Sequence, residues 1–206
     1  MKLVVPSRSS KNLLEKATAE YQNQLPGSPG ESHLLARGIS QQSIEHFRLG
    51  YVNSPISGDE RYKGRLSIPY LTVTGVVTMR FRTTTDEDPK YLSVSGDPGR
   101  PFNVADLSGS AIFLTEGEID AITLHQMGYA SLGIPGATQW NSLYCRLLRF
   151  RRTYLLADGD KAGRDFAEAV GSDIRGLTVL HMPSGEDVNS MFVNKGISYF
   201  EELING

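Results

Sequence analysis

Phe113-Leu114-Thr115-Glu116-Gly117-Glu118-Ile119-Asp120 reads as an apolar strand that stops at a carboxylate, turns on a glycine and enters a helix at once. The strand delivers Glu116 at its carboxyl end, and Asp120 falls in the first helical turn. Ligands collect at that edge of a parallel sheet. A second stretch, Tyr154-Leu155-Leu156-Ala157-Asp158-Gly159-Asp160-Lys161-Ala162-Gly163-Arg164, repeats the device with two carboxylates separated by one glycine. A third, Met182-Pro183-Ser184-Gly185-Glu186-Asp187-Val188-Asn189, follows another apolar run in the same way. Neighbouring strand ends are thus expected to converge on one acidic pocket.

Working outward, short buried runs at 111–115, 130–133, 153–157 and 178–181 alternate with helical stretches, the pattern of a parallel sheet with crossover helices. The helix over 161–174 places Ala162, Phe166, Ala169, Val170 and Ile174 on one face. Before Gly109 the pattern differs. A serine-capped helix is expected over 10–25, and two short helices over 31–37 and 40–47, the last capped by Ser40. Alternating strands at 65–71 and 76–83, joined through Thr74-Gly75, read as an antiparallel hairpin. The fold class is therefore an α+β N-terminal subdomain, 1–109, followed by an α/β domain with a mainly parallel sheet, 110–206.

Composition supports a folded soluble chain: hydrophobic residues make up 39% and charged residues 21% of 206, and no apolar run is long enough to span a membrane. The start, MKLVVPSRSS, does not support a secretory signal, so a cytoplasmic location is expected. A single cysteine, Cys145, excludes an internal disulfide and a thiolate zinc site. The net charge of −2 hides a split, since 1–109 carries +2 and 110–206 carries −4. Such a division suits a first part that meets phosphates and a second that gathers carboxylates.

Two carboxylates about 4 Å apart repel by roughly 4 kcal/mol at an effective dielectric near 20, so cations are expected among them. Oxygen-only donors favour magnesium or manganese over zinc. Each acidic residue also has a plain alternative. Glu116 and Asp120 suit a helix N-terminus, Asp158-Gly159-Asp160 suits a turn followed by a cap, and Asp187 suits an N-cap. Their joint occurrence at successive strand ends is what those alternatives explain poorly.

With Thr115-Glu116-Gly117-Glu118-Ile119-Asp120 and Asp158-Gly159-Asp160 in hand, the second half resembles the Toprim domain shared by DnaG-type primases, topoisomerases and some nucleases. Further stretches resemble the DnaG-type polymerase core in order. They are Leu34-Leu35-Ala36-Arg37-Gly38-Ile39-Ser40, Phe47-Arg48-Leu49-Gly50-Tyr51, Gly64-Arg65-Leu66-Ser67-Ile68-Pro69, Pro89-Lys90-Tyr91-Leu92 and Pro183-Ser184-Gly185-Glu186-Asp187. The resemblance implies synthesis of RNA primers on a single-stranded DNA template from ribonucleoside triphosphates during replication. It implies Glu116 as the catalytic glutamate, and Glu116, Asp120, Asp158, Asp160 and Asp187 as the set that holds Mg2+ or Mn2+. Asn189 stands where that family has a further aspartate, which leaves the number of metals open.

Among the basic residues Arg37, Arg65, Arg80, Arg82, Lys90 and Arg100, the resemblance matches Arg37, Arg82 and Lys90 to the surface that guides template and nucleotide, and brings Lys161 and Arg164 toward the triphosphate. Residues 61–100 carry a net +3. Phosphate neutralisation of that kind gives salt-dependent, largely sequence-blind affinity. Tyr91 and Phe81 suit either base stacking or a core. Arg146, Arg149, Arg151 and Arg152 read as a helix-end surface, and the four histidines as structural or surface residues. No cysteine set for a zinc domain and no Walker motif are present, so a separate zinc-binding-domain protein and a replicative helicase are expected as partners, as in a phage replication module. The rivals are a Toprim nuclease and a non-catalytic single-strand-binding or helicase-loading factor, the latter motivated by Asn189.

Overall fold

In the computed structural model, residues 6–135 and 139–205 are described. Residues 1–5, on which part of the reading against a secretory leader falls, lie outside them. No described helix is long and apolar enough to cross a membrane.

The first unit opens with α1 (Arg8–Asn23), whose N-cap is Ser7: its Oγ accepts the Ser10 N–H at 3.1 Å. The serine tract offers several caps, and the first of them starts the helix before residue 10. Helices α2 (Pro29–Ala36) and α3 (Gln41–His46) follow, and Ser40 Oγ accepts the Ser43 N–H at 3.2 Å as its position suggested. Then come β1 (Gly50–Tyr51), β2 (Arg65–Thr72), β3 (Gly75–Thr83) and β4 (Tyr91–Ser93), an antiparallel sheet in sequence order. The β2–β3 hairpin closes on the Thr72–Gly75 pair, where Gly75 takes φ +102°. Tyr21 and Ala17 of α1 pack with Met79 and Phe81 of β3, and the Tyr62 ring stacks on Phe81 at 3.7 Å.

The second unit contains β5 (Ala111–Thr115), α4 (Glu118–Gln126), β6 (Ser131–Gly133), α5 (Cys145–Leu148), β7 (Arg152–Ala157), α6 (Lys161–Asp173), β8 (Thr178–His181), α7 (Val188–Lys195) and α8 (Ile197–Asn205). Its sheet runs β6-β5-β7-β8 with every pairing parallel. Side chains alternate across a strand. Ile112, Leu114, Leu155 and Ala157 therefore meet Leu148, Phe166 and Val170 on one face, while Phe113 and Leu156 meet Leu124, Val188, Met191 and Phe200 on the other. Covering both faces is what lets strands read as continuous apolar runs. On α6 the buried positions are Gly163, Phe166 and Val170, whereas Ala162, expected inward, is exposed.

The two compact units divide between Pro98 and Gly99, ahead of the Gly109–Ser110 join read from the change of period. Residues 99–109 go with the second unit because Phe102 forms an antiparallel bridge with Gly133. The Asn103 amide also donates to Ser131 O at 3.1 Å.

Candidate functional site

Strand order reverses between β5 and β7: the chain leaves β5 toward β6 on one side and returns to β7 on the other. The carboxyl ends of two such strands frame a crevice. Glu116 follows β5 there and Asp158 follows β7. Asp120 lies in the first turn of α4, and Asp160 and Asp187 are the N-caps of α6 and α7.

Backbone contacts lock these ends together. The Gly159 N–H donates to Glu186 O at 2.8 Å, and the Gly185 N–H donates back to Gly159 O at 3.0 Å. A β-carbon on Gly159 would lie 1.8 Å from Pro183 O, so only glycine permits the approach. A β-carbon on Gly163 would lie 2.2 Å from Asp158 O, which sets the first turn of α6 against the carboxylate loop. The Asn189 N–H donates to Asp120 Oδ1 at 3.0 Å and its amide to Thr123 Oγ1 at 2.9 Å, joining α7 to α4. Asn189 is wholly buried in that joint.

Electrostatics record the convergence. Burial first, then Asp120, Glu116, Asp187 and Asp160, push the Asp158 carboxyl up to about 8. Burial first and then Asp160 push Glu116 up to about 7; the Asp158 N–H opposes this, and Asp120 adds to the rise. Glu116 Oε1 and Asp158 Oδ1 are buried without a hydrogen-bond partner. The structure thus brings the other four carboxylates within electrostatic range of Asp158. Among the described residues, however, no three of them stand ready to grip an ion together. The reason lies in the helix ends: Asp160 Oδ1 accepts the Gly163 N–H at 2.8 Å, Asp187 Oδ1 the Ser190 N–H at 2.6 Å, and Asp120 Oδ1 that of Asn189. Capping and convergence coexist. Glu118, passed over in the sequence, is almost wholly buried at the first position of α4.

In the first unit, His33 Nε2 accepts from Arg82 at 3.2 Å, a direction fixed because guanidinium only donates. Burial, then Arg82, Arg37 and Lys90, push His33 down to about 4. Three of the expected cations therefore act on one neutral imidazole, a role the histidine alone did not reveal; its spacing four residues before Arg37, the C-cap of α2, was the available signal. The Arg82 Nε is buried without a partner. Arg82 and Arg65 are both buried, and Arg65 donates to Pro89 O at 2.9 Å, bracing the turn before Lys90. Arg80 lies over the half-buried Tyr91 ring at 4.5 Å, and Phe81 is core. In the second unit, Lys161 pairs with Asp165 at 2.6 Å along the exposed face of α6, and Arg164 is exposed.

An acidic crevice at the switch point of a parallel sheet, preceded by an α+β unit, is the arrangement that the resemblance to a Toprim-bearing core of the DnaG type implied. The family model for Toprim-like domains matches residues 113–192. Gene 57 protein of Mycobacterium phage D29 is 38% identical over 143 residues, covering 66% of this chain and 94% of that protein. The DNA primase of Haemophilus influenzae is 26% identical, covering 96% of this chain and 42% of its own length. A solved DnaG primase catalytic domain bound to single-stranded DNA superposes with a TM-score of 0.76 at 21% identity, covering 95% of this chain and 80% of that one. The chain belongs to the DnaG-type primase family, and it spans about two fifths of the length of the bacterial primases it matches.

Proposed function

We propose that this chain makes short RNA primers on single-stranded DNA from ribonucleoside triphosphates, acting in DNA replication in the cytoplasm of a bacterial or phage-infected cell. The observation that carries the reading is the pair of unpartnered buried oxygens on Glu116 and Asp158, held in one crevice by strand ends. Carboxylates so placed fit a hard divalent cation, because each oxygen lacks a proton donor and the donor set has no nitrogen or sulfur. Asp120, Asp158, Asp160 and Asp187, with Glu116, would hold Mg2+ or Mn2+, which when bound neutralises them and stabilises charge on the triphosphate and the departing pyrophosphate.

The chain's own residues supply position and a proton acceptor. In the transfer, the 3′ oxygen bonds to the α-phosphorus of the incoming nucleotide, the bond to pyrophosphate breaks, and the hydroxyl proton passes to the Glu116 carboxylate. Arg37, Arg80, Arg82 and Lys90 take template and nucleotide phosphates, with His33 orienting Arg82 and Arg65 bracing the loop that carries Lys90. Lys161 and Arg164 serve the triphosphate once Lys161 leaves Asp165, an exposed pair of small worth. A replicative helicase and a zinc-binding domain act with it.

The test uses single-stranded DNA, labelled ribonucleotides and Mg2+ or Mn2+, with products resolved on a gel. Short RNA is expected, and Glu116→Gln and Asp158→Asn should reduce it by at least about a hundredfold. Cleaved template in place of RNA would make the chain a Toprim nuclease. DNA binding without either product would make it a binding or helicase-loading factor.

A further inference from the structure

Phe150 stands in a backbone conformation that phenylalanine rarely adopts. Its φ is +64°, Arg149 before it has φ −58° and ψ 135°, and the Arg151 N–H donates to Leu148 O at 3.2 Å. These are the angles of a type II turn with phenylalanine in the place that favours glycine or asparagine. Burial does not offset the cost, because the ring is 92% exposed. The Arg149 guanidinium lies 4.8 Å from the ring centroid. Arg146, Arg149 and Arg152 are exposed, and among the described residues none of them is drawn into an ion pair. Arg151 differs from them: it donates to Leu147 O at 2.9 Å, Leu107 O at 3.2 Å and Gly109 O at 3.3 Å, fastening the turn to the start of the sheet.

A turn fastened by Arg151 therefore presents an exposed aromatic ring on a segment that carries three exposed cations, which among the described residues make no ion pair. It lies at the amino end of β7, whereas Asp158 follows the carboxyl end; six residues at about 3.3 Å each separate them by about 20 Å. A single exposed ring beside several cations makes a poor protein-docking patch. It suits an unpaired base, since stacking needs only a π-face and the flanking phosphates need only cations. A duplex hides its base faces and offers no such partner.

We propose that the turn at 146–152 is a second contact for the single-stranded DNA template, with Phe150 stacked on a base and Arg146, Arg149 and Arg152 on neighbouring phosphates. The inference rests on the reading that the chain works on single-stranded DNA, and places a contact remote from the carboxylates.

The test measures binding of a labelled oligothymidylate by the full chain in chelator, so that no metal-dependent step contributes. Phe150→Gly should melt at the same temperature or higher, because glycine accepts the positive φ, yet bind about tenfold more weakly. An abasic oligomer should bind wild type and Phe150→Gly alike. The triple variant Arg146→Gln, Arg149→Gln, Arg152→Gln should lower the slope of log affinity against log salt by about 2. Unchanged affinity in Phe150→Gly, or an unchanged slope in the triple variant, overturns the proposal. Phe150-dependent binding by a chain that makes no RNA would sink the primase reading alone.

Discussion

Asp158 bears charge from four other carboxylates, and burial raises its carboxyl further. Asparagine keeps its shape and removes that repulsion, so Asp158→Asn should stabilise the metal-free protein by about 1 kcal/mol, or roughly 2–4 °C in melting temperature. The same change should abolish RNA synthesis, the usual opposition of stability and activity at a strained site. A thermal melt in chelator at pH 8 checks the first half, and a lower melting temperature in the variant would count against the convergence itself. At this scale the apolar runs before Glu116 and Asp158 pointed to carboxylates at neighbouring strand ends. The sequence offered the caps at Asp160 and Asp187 only as rivals to a site, whereas both residues cap their helices and also act on the Asp158 carboxyl. Nor did it show that Arg65 and Arg82 are both buried, one against the Pro89 carbonyl and the other against His33, because strand charges carry no mark of what lies opposite them.

The crevice is built by two loops pinned backbone to backbone, and Gly159 is where they touch. In Gly159→Ala the β-carbon would collide with the Pro183 carbonyl, an atom that cannot rotate away. The expected loss is about 2–3 kcal/mol, and RNA synthesis should fall as Asp158 and Asp187 separate. Circular dichroism melting measures the first, and a variant as stable as wild type would mean the loops part freely. Elements in this half were largely legible, since buried strands are short apolar runs whatever surrounds them; 111–115 and 178–181 match β5 and β8. Helix faces were less so. Gly163 takes the inward position that Ala162 was given, because the approach of Asp158's backbone decides the rotation of α6, and that approach is a tertiary fact.

For the whole molecule, the acidic crevice links stability to pH and to metal. Glu116 and Asp158 are raised to about 7 and 8 from the ordinary carboxylate values of 4.5 and 3.8, so between about pH 4 and pH 8 the folded chain holds more protons than the unfolded one. Stability contributed by the protonated crevice is thus present at low pH and is lost as pH rises through that window. The two groups repel each other, so the loss should spread over one broad step rather than two separate ones. Without metal, the melting temperature should fall by several degrees between pH 5 and pH 8 in this respect. Magnesium competes with those protons, so its stabilising shift should be small at pH 5 and larger at pH 8. Differential scanning calorimetry at both pH values, with and without Mg2+, reads the four corners. Equal magnesium shifts at pH 5 and pH 8 would mean that the ion binds away from Glu116 and Asp158.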